Sequence, residues 1–141
     1  MLISTQPTDI PNFSPKIHVS SIFVEREDTN KFLLLLQQPW KPQGGTWSVP
    51  AGKIEPTETP LESAIRELQE ETGIQRNNLA YETVYYVRYP DYDFIYYTYI
   101  TTLPQNFAIF LNKKEHATFT WATPQQALQH HLIPGEAYCI T

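Results

Sequence analysis

The sequence predicts one α/β domain of the α+β kind, on three observations. Apolar and aromatic runs with strand character, IHVSSIFVE, KFLLLLQQ and DFIYYTYITTL among them, recur through the chain. Between them lies one helix with complete start and stop signals, beginning near residue 60. A Thr-Pro pair at Thr123 and Pro124 opens a second helix of modest length. A chain of 141 residues is long enough to bury one core without disulfides or a structural metal.

Taken in order, residues 1–15 read as an extended tail, because Pro7, Pro11 and Pro15 among polar residues disfavour regular structure. The domain proper is expected over 16–141. From Ile17 the apolar residues alternate at period two, and 31–38 is an apolar run after the turn-like EDTN, so these two segments read as paired strands with the second buried on both faces. The following stretch is rich in proline and glycine and reads as loop, with a short strand around Trp47–Val49.

The helix near residue 60 is the best-specified element. Thr59 caps it, Pro60 suits the first helical position because its missing N–H is not needed there, and Glu62 completes a Thr-x-x-Glu capping box. Leu61, Ala64, Ile65 and Leu68 form one apolar stripe, and Gly73 is placed to end the helix in the left-handed conformation. Beyond it, AYETVYYVRY and DFIYYTYITTL are β-branched and aromatic runs joined by PDYD, a hairpin signal. Further short strands are expected near 107–111 and 117–121. No internal repeat or low-complexity segment occurs.

Composition excludes several functions. A net charge of −5 argues against a basic surface for a nucleic-acid polymer, and a phosphorylated ligand would need a bridging cation. Cys139 is the single cysteine, so no intrachain disulfide forms, and no Cys/His spacing matches a zinc site. The N-terminus lacks a signal-peptide pattern, and no run is long enough to span a bilayer. A cytoplasmic protein without membrane partners is expected.

The stretch RELQEETG at 66–73 carries the chemistry. Glu67, Glu70 and Glu71 stand at i, i+3 and i+4, so their carboxylates share one helix face and repel one another. Mg²⁺ or Mn²⁺ removes that repulsion, since a hard cation takes oxygen ligands and keeps waters that a phosphate can displace. Arg66 can reach Glu70 at i+4 and Glu62 at i−4 and orient the carboxylates. Taken alone, such a cluster is more often a solvated helix face.

Its surroundings decide otherwise. Residues 52–74, GKIEPTETPLESAIRELQEETGI, resemble the Nudix box at every specified position: Gly52, Glu58, Arg66, Glu67, Leu68, Glu70, Glu71, Gly73 and Ile74. The resemblance implies a Nudix hydrolase, with an αβα sandwich in which a mixed curved sheet lies between helices. It implies an enzyme that uses Mg²⁺, or Mn²⁺, to cleave a nucleoside diphosphate linked to another moiety. Glu67, Glu70 and Glu71 correspond to the metal carboxylates, with the Ala51 carbonyl as a further ligand where relatives usually have glycine. Glu58 and Arg66 correspond to supporting residues. Lys53 corresponds to a lysine near the departing phosphate in mutator-type relatives, with a solvated loop lysine as the alternative.

Outside the box, relatives supply a further glutamate from a loop six residues before a tryptophan, and Glu115 stands six before Trp121. It is the candidate general base or additional metal ligand; His116 competes for the first role, with a pKa closer to neutrality. Glu136 falls where relatives read a purine edge, and Arg88 is the candidate phosphate-binding arginine. Tyr86, Tyr89 and Tyr97 could stack on a base, although aromatic residues at strand spacing are more often core. The resemblance points to a MutT-like enzyme acting on nucleoside triphosphates, including oxidised forms such as 8-oxo-dGTP, as a monomer or homodimer. The alternatives are hydrolysis of a dinucleoside polyphosphate, ADP-ribose or a nucleotide sugar, and a non-catalytic Nudix nucleotide sensor.

Overall fold

A computed structural model describes residues 1–104 and 107–140; Thr141, the expected end of the domain, lies outside the described residues. The order is β1 (Leu2–Ser4), β2 (Pro15–Arg26), β3 (Phe32–Gln37), β4 (Trp47–Ser48), β5 (Ala51–Lys53) and α1 (Pro60–Thr72). It continues with β6 (Ala80–Arg88), β7 (Asp93–Leu103), β8 (His116–Ala122), α2 (Pro124–Ala127) and α3 (Glu136–Ile140). Among the described residues eight strands form one sheet. It is mixed, because β2 runs parallel to β7 while the other strand pairs run antiparallel.

The sheet forks where the site will form. β2 and β3 pair only at their hairpin end, Glu25 opposite Phe32. Farther along, β5 takes the edge of β2, with Ser21 opposite Ala51, and β4 takes the edge of β3, with Leu35 opposite Ser48. Splitting the hairpin this way carries Pro50, Ala51 and Gly52 into the gap between the two arms. Strand β8 closes the far edge of β3.

Alternation along the central strands builds two cores. Ile22, Val24, Leu33 and Leu35 point to one face, where Ala64 and Leu68 of α1 cover them. Phe23, Phe32 and Leu34 point to the other, against Ala127 of α2 and, at the margin, Cys139 and Ile140 of α3. This accounts for the apolar run of β3, which is buried on both faces as its composition predicts. Burial of Leu68, at 0% exposure, contributes about 2 kcal/mol through its apolar area.

Helix α1 begins and ends as its punctuation predicts. The Thr59 side chain accepts from the Glu62 N–H, the Glu62 carboxylate accepts from the Thr59 N–H, and Gly73 closes the helix at φ 76°. Glu62 is thereby committed to the cap and is not a partner of Arg66.

Several segments differ from expectation: β5 lies in the stretch read as loop, and α3 is not among the expected elements. Residues 107–111 form no strand: the Phe110 and Asn112 N–H groups donate to the Thr72 and Glu71 carbonyls. The segment satisfies orphan carbonyls at the end of α1, while Ile109 and Leu111 pack on the core. Residues 1–15, expected as a tail, are extended at β1 but join the sheet there, through β6. No helix among the described residues is long and apolar enough to cross a membrane.

Candidate active site

The carboxylates of α1 face the fork between β4 and β5. Arg66 organises them: its Nε and Nη2 donate to Glu58 at 2.6 and 2.9 Å. Its Nη1 donates to Glu67 at 2.8 Å and Glu70 at 3.1 Å. A further bond from Nη2 to the Lys53 carbonyl ties this cluster to β5. One guanidinium therefore bridges three acidic side chains and the strand opposite, so its planar fork sets their orientation. The bonds from Arg66 pull Glu58 below the usual carboxylate range.

Gly52 is required by the same packing. A Cβ there would lie 2.1 Å from Glu67 Cδ and 2.3 Å from its Oε1, far inside contact distance, so a side chain at 52 would displace the carboxylate. The glycine makes a cradle for Glu67.

Glu71 lies deepest, with 5% exposure, and its Oε2 has no hydrogen-bond partner. Burial, then the like charge of Glu67, pushes its carboxyl well above the usual range; the nearby Ala51 backbone offsets this only in part. Glu67 is also raised, chiefly by burial. Such a pair cannot hold two bare charges without a cation or a shared proton. An orphaned carboxylate oxygen, a neighbouring acidic pair and nearby backbone oxygens form a hard-donor set, which fits Mg²⁺ or Mn²⁺. Among the described residues, no three His, Cys, Asp or Glu groups already stand in metal-holding geometry; Arg66 holds Glu67 and Glu70 instead.

The start of β8 and the turn before it bring His116 and Glu115 to the same place. His116 is buried, with Nε2 3.6 Å from Glu71 Oε1. Burial lowers its pKa, which keeps the imidazole in the neutral form that can accept a proton. Glu115 is half-exposed, pairs with Lys41 at 3.2 Å, and adds negative potential at Glu71. Sequence reasoning missed Lys41, whose only signal is its place in the Pro-Gly-rich loop. Lys53 lies at the end of β5 with its side chain exposed.

A cavity of about 210 Å³ opens beside this cluster and shares Ala51 with it. Tyr89, Phe94 and Tyr96 line it, and Glu136 supplies a buried carboxylate at 2% exposure. Glu136 Oε1 accepts from the Val49 N–H at 2.9 Å, and Oε2 accepts from the Tyr96 hydroxyl at 3.3 Å. Burial raises its pKa to about 7 despite these two donors. Of the three tyrosines considered for stacking, Tyr89 lines the cavity; Tyr86 packs edge-on to Phe13, and Tyr97 stacks on His18.

Arg88 is paired within the protein. Its guanidinium donates to both oxygens of Asp93, at 2.8 and 3.0 Å, and to the Asn12 carbonyl. It is not among the residues lining the cavity.

A family model described as NUDIX domain matches residues 15–140. The chain belongs to the Nudix family. It is similar to the CTP pyrophosphohydrolase of Escherichia coli strain K12, with 30% identity over 85% of each chain. It is also similar to the 8-oxo-dGTP diphosphatase of Proteus vulgaris, with 42% identity over 42% of this chain and 52% of that one. Among solved structures, a MutT Nudix hydrolase from Burkholderia pseudomallei superposes with a TM-score of 0.77, covering 90% of this chain and 96% of that one at 18% identity. As a Nudix hydrolase, the chain has the hydrolytic activity of its family and the mixed-sheet α+β fold seen in these neighbours.

Proposed function

We propose that this chain is a Mg²⁺-dependent pyrophosphohydrolase that cleaves nucleoside triphosphates, oxidised forms included, to the monophosphate and pyrophosphate. The single observation that carries this reading is adjacency. The mainly apolar cavity, with the buried Glu136 carboxylate at its wall, shares Ala51 with a carboxylate cluster that contains an unpartnered buried oxygen. Similarity to proteins named for CTP and 8-oxo-dGTP supports triphosphates as the substrate class.

In this reading Glu67, Glu70, Glu71 and the Ala51 carbonyl hold the ion, with Glu115 as a further ligand or as the base. The ion, when bound, neutralises phosphate oxygens and lowers the pKa of the attacking water. Arg66 holds Glu67 and Glu70 close to Glu71, and the two carboxylates turn from the guanidinium toward the ion as it binds. Glu115 takes the proton of the water, and neutral His116 keeps Glu71 in place. Lys53 places positive charge beside the departing phosphate. Tyr89 and Phe94 flank the base, and Glu136 meets its polar edge. Mn²⁺ can replace Mg²⁺, and the enzyme works as a cytoplasmic monomer or homodimer.

A nucleotide panel incubated with Mg²⁺, with products identified by chromatography, tests the proposal. Monophosphate and pyrophosphate from one or more triphosphates is the expected result. Turnover confined to dinucleoside polyphosphates or nucleotide sugars would reassign the substrate, and no turnover of any nucleotide would contradict the enzymatic reading.

A further inference from the structure

The segment ahead of the family match has a place in the cavity. Strand β1 pairs antiparallel with β6, Ile3 directly opposite Val87, and both of these side chains line the cavity. On its other side Ile3 meets the segment that carries Glu136: a Cβ on Gly135 would lie 3.8 Å from Ile3 Cδ1 and 3.5 Å from Met1 Sδ. Gly135 itself has φ +94°, a conformation that favours glycine. The matched domain begins only at residue 15, so one wall of the cavity comes from outside it.

That wall is fastened down. Ser4 Oγ donates to Asp9 Oδ2, Ile10 is buried at 3% exposure, and Phe13 packs edge-on against Tyr86. The Ser14 N–H donates to Asp93 Oδ2 at 2.8 Å, and Arg88 bridges Asp93 to the Asn12 carbonyl. Held along β6 and fastened on its C-terminal side, the strand presents a β-branched side chain of fixed shape to the cavity.

We propose that β1 is part of the nucleobase site and that Ile3 is a specificity-determining residue, setting the size of base admitted between Val87 and Gly135. This rests on the cavity being the nucleoside site, as read above. Truncating Ile3 enlarges the space and favours purines; enlarging it favours pyrimidines. Phosphate chemistry at α1 is untouched, so the effect falls mainly on KM.

The test is steady-state hydrolysis of a purine nucleoside triphosphate, a pyrimidine nucleoside triphosphate and the base-free ribose 5-triphosphate by the parent, Ile3→Ala, Ile3→Phe and Leu2→Ala. The purine-to-pyrimidine ratio of kcat/KM is independent of how much enzyme is folded. It should rise roughly tenfold in Ile3→Ala and fall in Ile3→Phe, while the base-free substrate responds to neither change. Leu2, 47% exposed and pointing to the opposite face of the strand, should leave the ratio at the parental value. An active parent whose ratio is unmoved in both Ile3 variants, or shifts equally in Leu2→Ala, overturns this proposal alone. A parent inactive on every nucleotide overturns the nucleotide reading and this proposal with it.

Discussion

Glu71 and Glu136 are both buried carboxylates, 5% and 2% exposed, and burial raises the pKa of each. Their surroundings differ in one respect. Glu136 has a donor on each oxygen, the Val49 N–H and the Tyr96 hydroxyl, whereas Glu71 has Glu67 beside it and no partner for Oε2. A buried acid supplied with donors is a finished part of a wall and can meet a neutral ligand. One left beside a second acid is unfinished, and a cation completes it. On the proposed function, the two ends of the site serve different parts of one substrate, the phosphates at α1 and the base at α3.

Glu71→Gln breaks the comparison most severely. It removes the charge that a cation requires, so kcat should fall on the order of a thousandfold, about 4 kcal/mol of barrier. The melting temperature without Mg²⁺ should hold or rise, because a repelled buried charge has gone. Near-parental kcat at saturating Mg²⁺ would remove Glu71 from the mechanism. Glu115→Gln should cost on the order of a hundredfold in single-turnover rate, the usual worth of a general base, with His116→Ala milder. If the His116 variant is the slower one, the two roles exchange.

Gly52→Ala sharpens the same end of the site. Its Cβ would fall on the Glu67 carboxylate, so metal affinity should drop roughly 10- to 100-fold while the melting temperature changes little. An unchanged Mg²⁺ dependence would show that Glu67 can move aside freely.

At Glu136 the comparison is read as stability against pH. A carboxyl raised on folding holds its proton more tightly in the folded state. Its stabilising proton is fully present below the ordinary value of 4.5 and is lost as pH climbs through about 7. The parent should therefore lose up to about 3 kcal/mol across that window through this group, and Glu136→Gln should flatten the slope. Chemical denaturation at pH 5 and pH 8 measures it. Glu71 contributes with the same sign in both proteins, so the difference between them isolates Glu136.

The two ends were also unequally legible in the sequence. The capping box, the Gly73 stop and the i, i+3, i+4 glutamates are local patterns within one helix, and the structure forms that helix with those ends. The cavity is assembled from β1, β6, β7 and the segment before α3, which meet only through long-range pairing. Position 3 carries no local sign of that role. Arg88 shows the same limit: its pairing with Asp93, five residues away across the hairpin, carries no local sign. Residues 107–111 have strand composition, yet the open carbonyls of α1 claim their N–H groups. His116 and Lys41 gain their places beside Glu71 and Glu115 from the β3–β8 pairing and the loop after β3.

The most direct test of the contrast is Mn²⁺ binding without nucleotide, measured by titration calorimetry on the parent, Glu71→Gln and Glu136→Gln. The parent and Glu136→Gln should bind the ion with similar affinity, and Glu71→Gln should lose at least about tenfold. Equal binding by all three proteins, or loss in Glu136→Gln alone, would contradict the assignment of the cation to the unpartnered carboxylate.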